Sequence, residues 1–226
     1  MRQKNLIRTG GALLLASSLV LTGCANDDDD EMETRSFRIE LLNLTANQPM
    51  SPPAALLDDS DWWHDGDSAS VALEKLAESG DAGDLIAGED RAVQASGLLL
   101  PGERVELTVE GEENELRLQL ATMLVNTNDA FTGASGEDLS SLAAGEQRVL
   151  WLPARDAGTE ANSELAASIP GPAGGGEGFD ADRDDVADTI TLHPGVVGQE
   201  DGAADSALDQ SHRFDNPVLR VTITAL

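Results

Sequence analysis

Alternating apolar and polar positions along the chain predict several β-strands. In residues 36–45, Phe37, Ile39 and Leu41 alternate with polar residues, so one face of the strand is apolar. The same reading predicts strands at residues 104–110, 115–125, 147–152 and 218–226, and a short one at 189–193. Because the strands are spread over the whole chain, we expect an all-β fold, an antiparallel β-sandwich.

Two segments depart from simple alternation. In residues 115–125 the apolar positions change from even to odd numbers after Leu120, which predicts a bulge or a strand buried on both faces. Residues 69–77 have apolar side chains at helical spacing and predict a short helix, with Asp67 or Ser68 as N-cap and Gly80 as its end. A second helical turn is expected at residues 81–87. The sandwich therefore carries one or two short helices in its loops.

The first 23 residues are typical of a signal peptide. Three basic residues precede an apolar run of 11 residues, from Gly11 to Leu21, which is too short to span a bilayer comfortably. The run ends in Leu-Thr-Gly-Cys, which resembles the lipobox of bacterial lipoproteins. We therefore expect lipidation of Cys24 and a protein anchored to a membrane. Cys24 is the only cysteine, so the alternatives are a free thiol or an ordinary signal peptide.

Residues 24–35 are acidic and poor in apolar residues, which predicts a disordered tether between the anchor and a domain at residues 36–226. Ala25 is not an acidic residue of the kind that retains lipoproteins at the inner membrane. We therefore expect an exported protein of the cell envelope, at the outer membrane if the cell has one.

Charge excludes one class of partner. The chain has 42 acidic and 14 basic residues, and removal of the signal peptide leaves 11 basic ones, so the formal charge changes from −28 to −31. Nucleic-acid binding requires clustered lysine and arginine, so nucleic acid is not an expected partner.

Acidic residues at the ends of two predicted strands suggest a metal site. Asp129 follows the strand at 115–125, and Asp156 and Glu160 follow the strand at 147–152, with Gly158 between them to turn the loop. Calcium takes six to eight oxygen ligands, and carboxylates from two loops meet part of that demand. The spacing alone leaves a second interpretation open, in which these acids only cap turns.

These blocks resemble the spondin N-terminal domain family in its bacterial form. The resemblance is carried by residues 123–131 and by Asp-Ala-Gly-Thr-Glu-Ala-Asn at 156–162, with support from residues 69–80 and 99–103. It implies a sandwich related to calcium- and lipid-binding domains, one calcium ion held at Asp129, Asp156 and Glu160, and a role in adhesion. Glu160 departs from the family pattern, which has aspartate there.

A second acidic cluster lies at residues 180–188, where Asp180, Asp182, Asp184, Asp185 and Asp188 open like an EF-hand loop. The pattern then fails, because Asp185 occupies the glycine position and Thr191 the position of the bidentate glutamate. A solvated loop is the favoured interpretation of this cluster.

Three functions remain open. The first is a calcium-binding surface module that binds an unidentified protein or glycan, and the second is a structural envelope lipoprotein without a specific partner. The third is a metal-dependent hydrolase, which would need a histidine among His64, His193 and His212 near the metal. Each histidine is isolated in sequence and is expected at the surface or in a turn, so no enzyme is expected. Trp62 and Trp63 are expected to be buried loop anchors rather than a sugar platform.

Overall fold

A computed structural model of the chain describes residues 33–181 and 187–226. The predicted signal peptide, Cys24 and most of the predicted tether lie outside the described residues, as do Asp182, Asp184 and Asp185. Among the described residues, no helix is long and apolar enough to cross a membrane.

The regular elements of the described residues are ten strands and one α-helix. In chain order they are β1 (Thr34–Asn43), β2 (Ala54–Asp58), α1 (Val71–Ser79), β3 (Val93–Gln94), β4 (Arg104–Glu112), β5 (Arg117–Met123), β6 (Ala130–Asp138), β7 (Gln147–Leu152), β8 (Ala154–Asp156), β9 (Thr191–Leu192) and β10 (Leu219–Ala225).

The strands form two antiparallel sheets. Sheet A has the order β4-β1-β10-β7, and sheet B has the order β3-β2-β5-β6-β8-β9. Inward-facing side chains of β1 and β10 pack with those of β2 and β5 in one buried apolar cluster. The predicted all-β sandwich is confirmed.

Sheet B is covered on its other face by α1 and by the loop that precedes it. Leu56 of β2 packs there with Leu73 and Leu76 of α1, whereas its neighbour Leu57 packs into the cluster between the sheets. In β5 every residue after Arg117 is buried. The pairing of β5 with β6 also shifts register between Leu118 and Leu120. Both expectations for this strand, the bulge and the burial of two faces, are confirmed.

The helix begins later than the sequence predicts. Ser70 is the N-cap, since its side chain accepts a hydrogen bond from the Leu73 backbone N–H at 3.2 Å, so the expected cap at Asp67 or Ser68 is wrong. Gly80 ends the helix with a φ of 70°, as predicted. The first strand begins at Thr34, so the last two residues of the predicted tether belong to β1.

Candidate metal site

Asp129 lies in the turn that joins β5 to β6 and is fully buried. Thr127 tightens this turn, because its hydroxyl donates to the Leu124 carbonyl at 2.6 Å and accepts from the Ala130 N–H at 3.1 Å. The Asp129 Oδ2 accepts the backbone N–H groups of Thr159 and Glu160, at 3.0 and 3.1 Å. The two loops that the sequence singled out are therefore joined through the Asp129 carboxylate.

Asp156 is the last residue of β8 and pairs with Ala130, the first residue of β6. Its Oδ1 accepts the Gly158 N–H at 2.9 Å, and its Oδ2 accepts the Asn162 side-chain amide at 2.5 Å. Residues 154–156 form a strand, where the sequence suggested a loop. The pairing of β8 with β6 places Asp156 beside the turn that contains Asp129.

Gly158 shapes the turn that carries Glu160. Its φ is +76°, and a Cβ there would lie 2.7 Å from the Thr189 carbonyl oxygen, so the turn needs glycine. Glu160 follows this turn and is 6% exposed. All three predicted ligands are thus buried near the last residue of β8, between 0% and 7% exposed.

Burial and like charge act together on Asp129. Removal from water, together with the negative charges of Asp156 and Glu78, raises the pKa of the Asp129 carboxyl to about 7. The N–H groups of Thr159 and Glu160 act in the opposite direction, since they stabilise the carboxylate. The turn is therefore an unfavourable place for the ionised side chain of Asp129.

Glu78 is a buried acid that no pattern in the sequence predicts. It lies in the last turn of α1, next to the apolar Ala77, and is 1% exposed. The Asp180 N–H donates to Glu78 Oε2 at 3.4 Å, so Asp180 lies against the end of α1. Helical periodicity alone cannot identify such a residue, because a segment about 100 positions away covers it.

Asn128 adds a buried amide beside Asp129. Its Nδ2 donates to Asp129 Oδ1 at 3.1 Å, and its Oδ1 is buried without a hydrogen-bond donor. An unpartnered buried carbonyl oxygen is uncommon and unfavourable. Asn128 lies within the motif at residues 123–131, and nothing in the spacing of that motif marks it as a ligand.

His193 and Glu164 lie near enough to Asp156 to interact with its charge. Burial lowers the pKa of His193 to about 4, although the charge of Asp156 opposes this shift, so the imidazole is neutral at pH 7. Burial also raises the pKa of Glu164, helped by the charge of Asp156. The His193 Nδ1 accepts the Gly195 N–H at 3.0 Å, which places the ring proton on Nε2.

The predicted positions of the histidines and tryptophans are confirmed only in part. His64 is exposed as expected, but His193 and His212 are buried, at 4% and 9% exposed, so a surface position for them is wrong. Trp62 and Trp63 are buried anchors, as predicted, and the Trp63 ring packs edge-on against Phe131 with centroids 5.0 Å apart.

Only the ends of the second aspartate cluster are described. Asp180 lies at the end of α1, and the Asp188 backbone N–H donates to the Gly158 carbonyl at 3.0 Å. In residues 33–181 and 187–226, no group of three or more histidine, cysteine, aspartate or glutamate side chains already has the arrangement of a metal site.

Comparison with known proteins does not assign this site to a family or a function. The chain matches no protein-family profile, and no curated protein matches it significantly. The spondin resemblance stays a prediction that rests on residues 123–131 and 156–162.

Proposed function

We propose that this chain is an exported lipoprotein, anchored through Cys24, whose sandwich binds one calcium ion at Asp129, Asp156 and Glu160 and serves in adhesion or another surface interaction. The observation that carries the calcium proposal is the buried Asp129 carboxyl. It joins the β5–β6 turn to the turn after β8 and lies beside the charges of Asp156 and Glu78. A divalent cation would remove the electrostatic penalty that now falls on this carboxylate.

The chemistry of the donors supports calcium. All the candidate ligands are hard oxygen groups, and calcium accepts carboxylates and amide oxygens in flexible arrangements. Asn128 supplies a further oxygen: rotation of its amide by about 180° exchanges Oδ1 with Nδ2, which now lies 3.1 Å from Asp129 Oδ1. Two oxygens at that separation can share a cation but would otherwise repel each other.

The histidine near this site supports a zinc hydrolase less well than the oxygen donors support a calcium site. His193 is the histidine that interacts electrostatically with Asp156, but its Nδ1 accepts the Gly195 N–H and its Nε2 carries the proton. Neither nitrogen then offers a lone pair to zinc. A zinc site at His193 would require the loss of the Gly195 hydrogen bond.

Thermal unfolding with and without calcium tests the metal proposal. Binding to the folded state raises the free energy of unfolding by RT ln(1 + [L]/Kd), which is about 2.7 kcal/mol at a hundredfold excess over Kd. We expect a saturable rise of the unfolding temperature with calcium, and we expect Asp156→Asn to abolish it. Asp205→Asn, which removes the same charge at an exposed position, should retain the rise. An equal rise with magnesium, or in Asp156→Asn, would mean charge screening and would remove the support for the site.

The anchor needs a separate test, because residues 1–32 lie outside the described part of the chain. Cells fed an alkyne-labelled fatty acid should label the wild-type protein and should not label Cys24→Ser. We also expect Cys24→Ser to leave the membrane fraction, because stable anchoring requires the acyl chains. Label on the serine variant, or its retention in the membrane fraction, would contradict lipidation at Cys24.

A further inference from the structure

The outer face of sheet A has an unusual composition for this chain. Strand register places Arg104, Leu42, Arg220 and Trp151 in one row across β4, β1, β10 and β7. The next row contains Glu106, Glu40, Thr222 and Val149. With strands about 4.8 Å apart, each row spans about 14 Å across the sheet.

Charges on this face balance, although the protein as a whole is strongly acidic. Four glutamates lie on this face, and they are matched by its three arginines and by Arg91, which pairs with Glu112 at 2.7 Å: Glu40, Glu106, Glu110 and Glu112, and Arg38, Arg104 and Arg220. Glu40 Oε1 lies 3.4 Å from Arg104 Nε and 3.6 Å from Arg220 Nη2. The whole chain, by contrast, has 42 acidic and 14 basic residues. The face therefore presents both donors and acceptors without a net charge.

Trp151 is the exposed tryptophan of the protein. It is 58% exposed, whereas Trp62 and Trp63 are buried, and its neighbour Val149 is 47% exposed. The Arg220 guanidinium lies 5.9 Å from the Trp151 ring centroid, which holds the ring beside a polar donor. Arg220 Nε is itself buried without a hydrogen-bond partner. A large aromatic ring exposed at the end of a polar row is a common feature of binding surfaces.

We propose that the outer face of sheet A binds an uncharged polysaccharide, with one hexose ring stacked on Trp151 and its hydroxyls bonded to Arg220 and Glu40, which lie in the two adjacent rows. The C–H face of a pyranose is apolar and matches the indole, while hydroxyl groups both donate and accept and so match paired guanidinium and carboxylate groups. A polyanion is disfavoured because the chain carries a formal charge of −28. A polycation would be attracted by the acidic chain as a whole, but this face has no net negative charge that would select it.

This proposal extends the proposed surface role by naming a class of partner, but it does not depend on the cation. The face belongs to sheet A, whereas Asp129 and Asp156 adjoin strands of sheet B. Binding measured in excess EDTA and again in calcium therefore separates the two proposals. Failure of the calcium site leaves binding in EDTA unchanged.

Affinity electrophoresis provides the test. The purified protein is run in native gels that contain dextran, laminarin, galactomannan or hydroxyethyl cellulose, with alginate and dextran sulfate as polyanions. We expect retardation by at least one uncharged polymer and an affinity loss of roughly tenfold or more in Trp151→Ala. Leu192→Ala, a change at a residue 60% exposed on sheet B, is the matched control and should behave as wild type.

Fluorescence quenching gives a second measure on the same residue. Since Trp62 and Trp63 are buried, acrylamide quenching reports mainly on Trp151 and should fall when the retarding polymer is added. Retardation that survives Trp151→Ala, retardation by the polyanions alone, or no retardation by any of the six polymers would each overturn the proposal.

Discussion

Replacement of Asp129 by asparagine should stabilise the metal-free protein at neutral pH and above. Burial and the neighbouring charges raise the pKa of this carboxyl from 3.8 to about 7. At about 1.36 kcal/mol per pKa unit, ionisation in the folded state costs at most about 4 kcal/mol. This cost is an upper limit, because the part of the pKa shift that the Asp156 charge causes is present only when Asp156 is ionised.

The substituted amide suits the surrounding hydrogen bonds. Its oxygen can accept the N–H groups of Thr159 and Glu160, as Asp129 Oδ2 does now. Its amide nitrogen can donate to Asn128 Oδ1 after the Asn128 amide rotates, which gives that buried oxygen a donor. The substitution therefore removes a charge, and Asn128 still has one unpartnered polar atom, because its Nδ2 then occupies the place that Oδ1 has now.

The sign of the pH dependence follows from the direction of the shift. Because the pKa of Asp129 is raised on folding, its ionisation favours the unfolded state, so its contribution to stability is largest below pH 3.8 and is lost as pH rises through about 7. Wild-type protein in EDTA should lose stability over this range. Asp129→Asn should lose less and should exceed wild type at pH 8.

Urea unfolding in EDTA at several pH values between 4.5 and 8.5 measures this difference. Asp205→Asn, an exposed aspartate changed in the same way, controls for the general loss of negative charge. An Asp129→Asn variant that is less stable than wild type in EDTA at pH 8, or that keeps the wild-type pH slope, would refute the reasoning. Calcium should reverse the order of stability, because the variant lacks a charged ligand.

Two other substitutions test the shape and the charge of the site. Gly158→Ala should destabilise the protein by about 1 kcal/mol more than Gly88→Ala in urea unfolding, because both glycines have positive φ but only Gly158 is crowded at the Cβ position. A loss no larger than that of Gly88→Ala would contradict the close packing of the turn. Glu78→Gln should lower the pKa of Asp129, read from the pH dependence of calcium affinity, while the exposed Glu89→Gln should not. An unchanged pH midpoint in Glu78→Gln would place Glu78 outside the site.

Strands with one buried face were predictable from the sequence. In β1, β4, β7 and β10 apolar and polar residues alternate, and each lies in sheet A with one side toward the core. The strands β2 and β6 were not predicted. The burial of four consecutive residues in β2 removes the alternation. In β6, Gly133 is needed because a Cβ there would lie only 1.8 Å from the Leu120 carbonyl, yet glycine lowers strand propensity.

The candidate site was partly predictable for a similar reason. Asp129, Asp156 and Glu160 follow predicted strands within short motifs, and the structure buries all three. Glu78 and His193 carry no local signal, because their burial depends on segments distant in sequence. Whether these residues bind calcium stays a prediction.

Proton release on calcium binding tests the central claim most directly. If calcium binds the Asp129 carboxylate, each bound ion must displace the proton that a pKa of about 7 keeps there at lower pH. Titration calorimetry at pH 6.5, repeated in buffers of different ionisation enthalpy, counts these protons. We expect one ion per chain with release of about 0.8 proton at pH 6.5, and release near zero at pH 9. Calcium binding without proton release at pH 6.5, or no calcium binding at either pH, would contradict the account.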